Sequence, residues 1–175
     1  MKKIGIVFGV LFIIILTVIF TAQEKPAPAS EYLRMHVRAN SNSAEDQAVK
    51  YEVKEAIVEF LIPYAAEAET REEAKQIFAE ILPGIERVAD KVLAKNGFNY
   101  TSHAEWRKEE FPTRVYDGVT LEAGVYDALI VELGTGEGDN WWCVVYPPLC
   151  FSGAAGSNVQ YRSRILEIIR NFFGD

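Results

Sequence analysis

The first stretch of the chain is apolar at almost every position. From Ile4 to Phe20 only the small residues Gly5, Gly9 and Thr17 interrupt it, and Met1-Lys-Lys3 stands in front. A positive start, a hydrophobic run and then a polar segment rich in proline and alanine is the layout of an export signal. The run also approaches the roughly 20 residues that cross a bilayer. Residues 1–22 therefore read as a signal peptide or, if uncleaved, a membrane anchor over 4–22, with Ala22 and Ala27-Pro-Ala29 as candidate cleavage points. The flanking lysines favour a cytoplasmic N-terminus with the remainder exported. Residues 23–30 form a short linker.

After that the period changes repeatedly. Tyr32 to Ala39 alternates, with Leu33, Met35 and Val37 on one side, which predicts a half-buried strand. Asn40-Ser-Asn-Ser43 turns the chain. Ser43 followed by Asp46 has capping-box spacing. A helix then carries Val49, Val53, Ala56, Ile57, Phe60 and Leu61 on one face and is expected to stop at Pro63. Thr70-Arg-Glu-Glu73 repeats the cap ahead of Ala74, Ile77, Phe78 and Ile81. Pro83-Gly84 breaks the stripe, which Ile85, Val88, Ala89 and Val92 resume as far as Asn96-Gly97. This is two helices, or one kinked helix.

From Phe98 to Trp106 a strand is expected. Gly124 to Leu133 is a stronger one, with Val125, Leu129, Val131 and Leu133 on one face and Tyr126, Ala128 and Ile130 on the other. Gly134 to Asp139 reads as a hairpin loop that returns into a strand from Trp141 to Tyr146. Strands apolar on both faces are central or covered on both sides. Residues 152–158 are a linker, and 159–175 an amphipathic helix with Ile165, Leu166, Ile169, Phe172 and Phe173 opposed to Arg162, Arg164 and Arg170. The class is α+β: one domain over 31–151, its antiparallel or mixed sheet covered by two or three helices.

Charge narrows the function. The formal net charge is -7, and losing Lys2 and Lys3 with residues 1–22 makes it -9. An acidic domain repels phosphate backbones, so nucleic acid is not expected as a partner. No Gly-x-Ser-x-Gly elbow, His-Glu-x-x-His pair or Asp-Thr/Ser-Gly motif occurs, and Asp117-Gly118 is followed by Val-Thr. With His36 and His103 as the only histidines, no metal or cofactor site is expected. His36 alternates with core positions, so it should face outward or line a groove. The glycines of 134–138 lack a following helix and a lysine, and Glu137 and Asp139 would repel an anion; a calcium site there lacks ligands. Cys143 and Cys150, with Pro147-Pro148 between them, are a disulfide or two buried thiols. Adjacent Trp141 and Trp142 should point to opposite faces.

Three motifs lie in order along the chain: Leu33-Arg-Met-His-Val-Arg-Ala-Asn-Ser-Asn-Ser43, Phe111-Pro-Thr-Arg-Val-Tyr116, and Ala123-Gly-Val-Tyr126 leading into Leu133 to Cys150. Through them the chain resembles the stage II sporulation protein R family over roughly 31–151. The resemblance implies a non-enzymatic signal of endospore formation. Such a protein is exported from the forespore into the space between forespore and mother-cell membranes. There it activates a membrane-embedded aspartic protease of the mother cell that processes the sigma-E precursor. Arg34, Arg38, Phe111, Arg114, Trp141 and Trp142 are the candidate partner-binding residues. Arginines in an acidic domain suit carboxylates, on a partner or inside the fold. Competing readings are a secreted hydrolase using His36, Asp127, Glu137 or Asp139, and an anchored structural or cell-wall-binding protein.

Overall fold

A computed structural model describes residues 31–116, 119–151 and 167–171. The export segment, both linkers and most of the C-terminal helix lie outside them. Among the described residues no helix is long and apolar enough to cross a membrane.

The element order is β1 (Leu33–Arg38), α1 (Ala44–Glu67), α2 (Arg71–Glu80), α3 (Leu82–Lys95), β2 (Ser102–Phe111), β3 (Arg114–Tyr116), β4 (Val119–Leu121), β5 (Gly124–Leu133), β6 (Asn140–Tyr146) and a 3-10 turn at Leu149–Phe151. Four strands make a mixed sheet in the order β2-β5-β1-β6, and β3 with β4 makes a separate two-stranded hairpin. β1 runs parallel to β5 and antiparallel to β6. The domain is therefore α+β with a mixed sheet.

Alternation along β1 and β5 builds two cores. Leu33, Met35, Val37, Leu129, Val131 and Leu133 join the helices through Val53, Ile57, Leu61, Phe78, Ile85 and Leu93. Each such side chain, fully buried, stabilises the fold by about 1.5–3 kcal/mol. The opposite face gathers Tyr32, Phe111, Tyr126, Ala128, Ile130 and Val144 under Leu121, Tyr116 and Val119 of the β3–β4 hairpin.

Ser43 caps α1 by accepting from the Asp46 N–H at 3.1 Å, but the Asp46 carboxylate does not complete a capping box. It accepts instead from Asn40, Ser41 and Tyr100. Thr70 caps α2 through the Glu73 N–H. Ile81 ends α2 and begins α3, with Pro83 in the first turn, so the region is two helices.

Four expectations need correction. α1 does not stop at Pro63 but continues to Glu67; burial of Ala65 and Ala66 in the main core outweighs the lost hydrogen bond. Residues 134–139 are not a hairpin loop, because β1 lies between β5 and β6. The loop crosses the end of β1 and is tied to the turn that follows it: Gly138 N–H donates to Ala39 O at 2.8 Å, and Asp139 N–H to Asn42 Oδ1 at 2.6 Å. A Cβ on Gly138 would collide with the Ser41 carbonyl, so only glycine permits that approach. β2 begins at Ser102 rather than Phe98, and it runs on through Phe111. Finally, His36 faces neither solvent nor a groove: it is 2% exposed, within the second core. At the C-terminus residues 167–171 are helical, and Ile168 is buried in the main core.

Candidate functional site

β1 presents Arg34, His36 and Arg38 on the face that the β3–β4 hairpin covers, and the three residues meet different neighbours. Arg38 lies opposite Glu132 on β5 and pairs with it at 3.1 Å, and with Glu109 at 2.8 Å. Arg107 joins the same network through Glu105, Glu109 and Glu132. Arg38 is thus occupied inside the fold.

Arg34 lies opposite Ala128 on one side and Val144 on the other, with no acid in register. It is fully buried. Its guanidinium sits 4.3 Å from the Phe111 ring centre and 4.8 Å from that of Tyr126. It donates to the Tyr116 hydroxyl at 3.0 Å and to Cys143 O at 3.3 Å. Cation–π contacts strengthen when water is excluded, which is what holds a cation here without a carboxylate. Burial pushes its pKa below the usual arginine value, against the Tyr116 and Tyr126 hydroxyls. Burial raises that of Tyr116, against Arg34 and Arg114. Phe111 is also fully buried, edge-on to His36 and Tyr126. Arg34 and Phe111 therefore tie the hairpin to the sheet.

His36 stacks on Trp142 with ring centres 5.4 Å apart. Burial holds its pKa below the usual histidine value, with Asn140 opposing; the ring is neutral at pH 7.

Trp141 and Trp142 occupy opposite faces of β6. Trp141 packs on the main core with the Lys54 ammonium 5.2 Å from its ring. Trp142 packs on the second core with the exposed Arg114 guanidinium 4.5 Å above it. Both are half-buried. Cys143 and Cys150 are joined as a disulfide, Cα atoms 6.0 Å apart. The bridge fastens the Leu149–Phe151 turn to β6, where Val144 N–H donates to Cys150 Sγ at 3.2 Å. Of the six candidate partner-binding residues, the structure brings Arg114 onto Trp142 on one face of the edge strand β6, sets Trp141 on the opposite face, buries Arg34 and Phe111, and engages Arg38 with Glu109 and Glu132.

The four groups weighed for a hydrolase do not converge. Asp127 is on the face opposite His36, bound by Arg71 at 2.5 Å and Lys75 at 2.9 Å. These two cations and their hydrogen bonds hold its pKa below the usual carboxylate range, although burial pushes the other way. Glu137 and Asp139 are in the exposed loop beyond the far end of β5. Among the described residues no group of three or more His, Cys, Asp and Glu side chains could hold a metal.

Sequence reasoning missed the partners: Tyr116 and Tyr126 around Arg34, Glu109 and Glu132 around Arg38, and Lys54 on Trp141. Alternating charges in Glu105, Arg107 and Glu109 were a signal that β2 continued past Trp106.

The fold and these contacts define a small α+β domain with an aromatic and cationic patch at one sheet edge. The family model for stage II sporulation protein R matches residues 29–156, and the chain belongs to that family. Stage II sporulation protein R of Bacillus subtilis strain 168 is 32% identical over 161 residues, covering 86% of this chain and 72% of that protein. No solved structure matches the chain. Family membership assigns the chain a role in sporulation signalling.

Proposed function

We propose that the protein is an exported, non-enzymatic signal of endospore formation. It leaves the forespore through residues 1–22 and acts between the forespore and mother-cell membranes, freed by cleavage or held by 4–22. Its target is the membrane-embedded aspartic protease of the mother cell that processes the sigma-E precursor. Family membership over 29–156 carries this reading. The hydrophobic run ahead of a polar domain supports export. The aromatic pair at the edge of β6 supports recognition, since tryptophan and arginine are enriched where binding energy concentrates.

The test is co-expression with that protease and the sigma-E precursor in a bacterium lacking sporulation genes, with the signal directed across the membrane. Cleavage that depends on the exported chain is expected. No cleavage in the presence of folded, exported protein would refute the reading.

A further inference from the structure

We propose that Arg114 and Trp142 form a seat for a carboxylate carried on an extended acidic segment of a partner protein, which lies along the free edge of β6. This deepens the signalling reading and rests on it.

The first observation is an uncompensated pair of cations. Arg38, Arg71 and Arg107 each pair with carboxylates. Arg34 and Arg114 pair with none among the described residues. Exposed Arg87 has no carboxylate partner there either, but Arg34 and Arg114 lack one and also lie against aromatic rings. Both lie near Tyr116, one buried and one exposed. A guanidinium is a rigid two-pronged donor whose best partner is a carboxylate.

The second observation is independent of charge. The indole Nε1 of Trp142 and Nη1 of Arg34 are buried and have no acceptor among the described residues. A buried donor without an acceptor is unfavourable, and a carboxylate that reaches the Trp142 indole edge beside Arg114 would supply the missing acceptor. The exposed Arg114 side chain lies directly on the Trp142 ring, so it can turn onto an acid arriving beside the indole.

The third observation selects a strand as carrier. Among the described residues β6 pairs only with β1, so its other edge carries no strand there. The Val144 N–H on that edge is taken by Cys150 Sγ. In an antiparallel strand the backbone groups two residues away point the same way, so Trp142 presents its N–H and C=O outward, ahead of the bridged turn. An added strand pairs with such groups and sets alternate side chains on each face. A side chain on the Trp142 face then meets Arg114. A second copy of this chain fits less well, since two β6 edges would bring Arg114 against Arg114.

The probes are octa-glutamate and octa-serine peptides, with the full chain in detergent micelles and its tryptophans labelled with nitrogen-15. Octa-glutamate should shift the Trp142 indole N–H resonance, and octa-serine should not. Arg114→Gln should weaken that binding by about tenfold or more, and Arg114→Lys should restore part of it, because a point charge replaces only some of the fork. Arg114 is exposed, so both variants should melt like wild type. In the cleavage assay the order should be wild type, then Lys, then Gln. No shift, an equal shift from both peptides, or unchanged binding by Arg114→Gln overturns the seat. So does a dimer formed without peptide through this edge, or an Arg114-dependent response confined to vesicles containing phosphatidylglycerol. If wild type fails to trigger cleavage, the signalling reading falls. If wild type and Arg114→Gln trigger equally, only the seat falls.

Discussion

Reduction of the Cys143–Cys150 bridge isolates one covalent contribution without removing an atom from the core. The bonded residues are 7 apart in sequence. Loop-closure entropy for that separation gives about 2.4 kcal/mol at 25 °C, at the lower end of the usual range because the loop is short. Both sulfurs remain after reduction, and Cys143 is fully buried, so packing in the main core changes little. The Val144 N–H can still donate to Cys150 Sγ, so the difference is mainly the chain constraint. Urea unfolding followed by tryptophan fluorescence, with and without a phosphine reductant, measures it. With a slope of about 1.5 kcal/mol per molar, the midpoint should fall by about 1.6 M. An unchanged midpoint would show that the turn at Leu149–Phe151 is held by packing alone. Two free thiols in the unreduced protein, seen by mass, would remove the bridge itself.

Deleting residues 4–20 should leave a folded domain that triggers no precursor cleavage; full activity of that form retained inside the producing cell refutes the need for export. His36 should make stability depend on pH. Its folded pKa is depressed, so as pH falls below about 6.5 the unfolded chain takes up a proton that the folded chain does not. Stability should therefore drop below that pH and level off once the folded ring is protonated too. Arg38 and Arg107 disfavour the charged ring while Glu109 and Asn140 favour it, and a urea midpoint in His36→Phe as steep in pH as wild type would place the slope elsewhere. Gly138→Ala should cost about 1–3 kcal/mol by forcing the 134–139 loop off the Ser41 carbonyl, measured as a shift in urea midpoint. Pro63→Ala should stabilise α1 by about 1–3 kcal/mol, because residue 63 regains an N–H for its helical bond; a loss of stability would mean that the ring's packing matters more.

Most helices and the long strands were legible because their periods were undisturbed. β1 and β5 alternate cleanly, and Thr70 and Ser43 announce helices that do begin there. Pro63 misled because propensity acts on one residue while the core acts on the whole helix: Leu61, Ile62, Ala65 and Ala66 are all buried on either side of it. The 134–139 loop misled for a different reason. Two strands joined by a glycine-rich loop look like neighbours, and nothing within 124–146 reveals that a strand almost a hundred residues earlier is inserted between them. The β3–β4 hairpin escaped notice because its strands are 3 residues each, too short to show a period.

The site was legible as a set of residue types but not as an arrangement, and the arginines show why. In sequence Arg34 and Arg38 are equivalent, four apart on one face of one strand. Strand pairing separates them. Because β1 is parallel to β5 in the register Arg38↔Glu132, Arg38 meets a carboxylate and its charge is spent inside the fold. The same register puts Arg34 beside Ala128, and the β6 register puts it beside Val144. Arg34 is left to aromatic rings and a tyrosine hydroxyl, and Arg114 is brought by the hairpin onto the neighbouring Trp142. A shift of β1 by two residues would keep every side chain on its face yet set Arg38 opposite Ile130 and give Arg34 no acid either. Pairing, which no local pattern encodes, therefore decides which cations the fold neutralises with a carboxylate and which it leaves to aromatic rings.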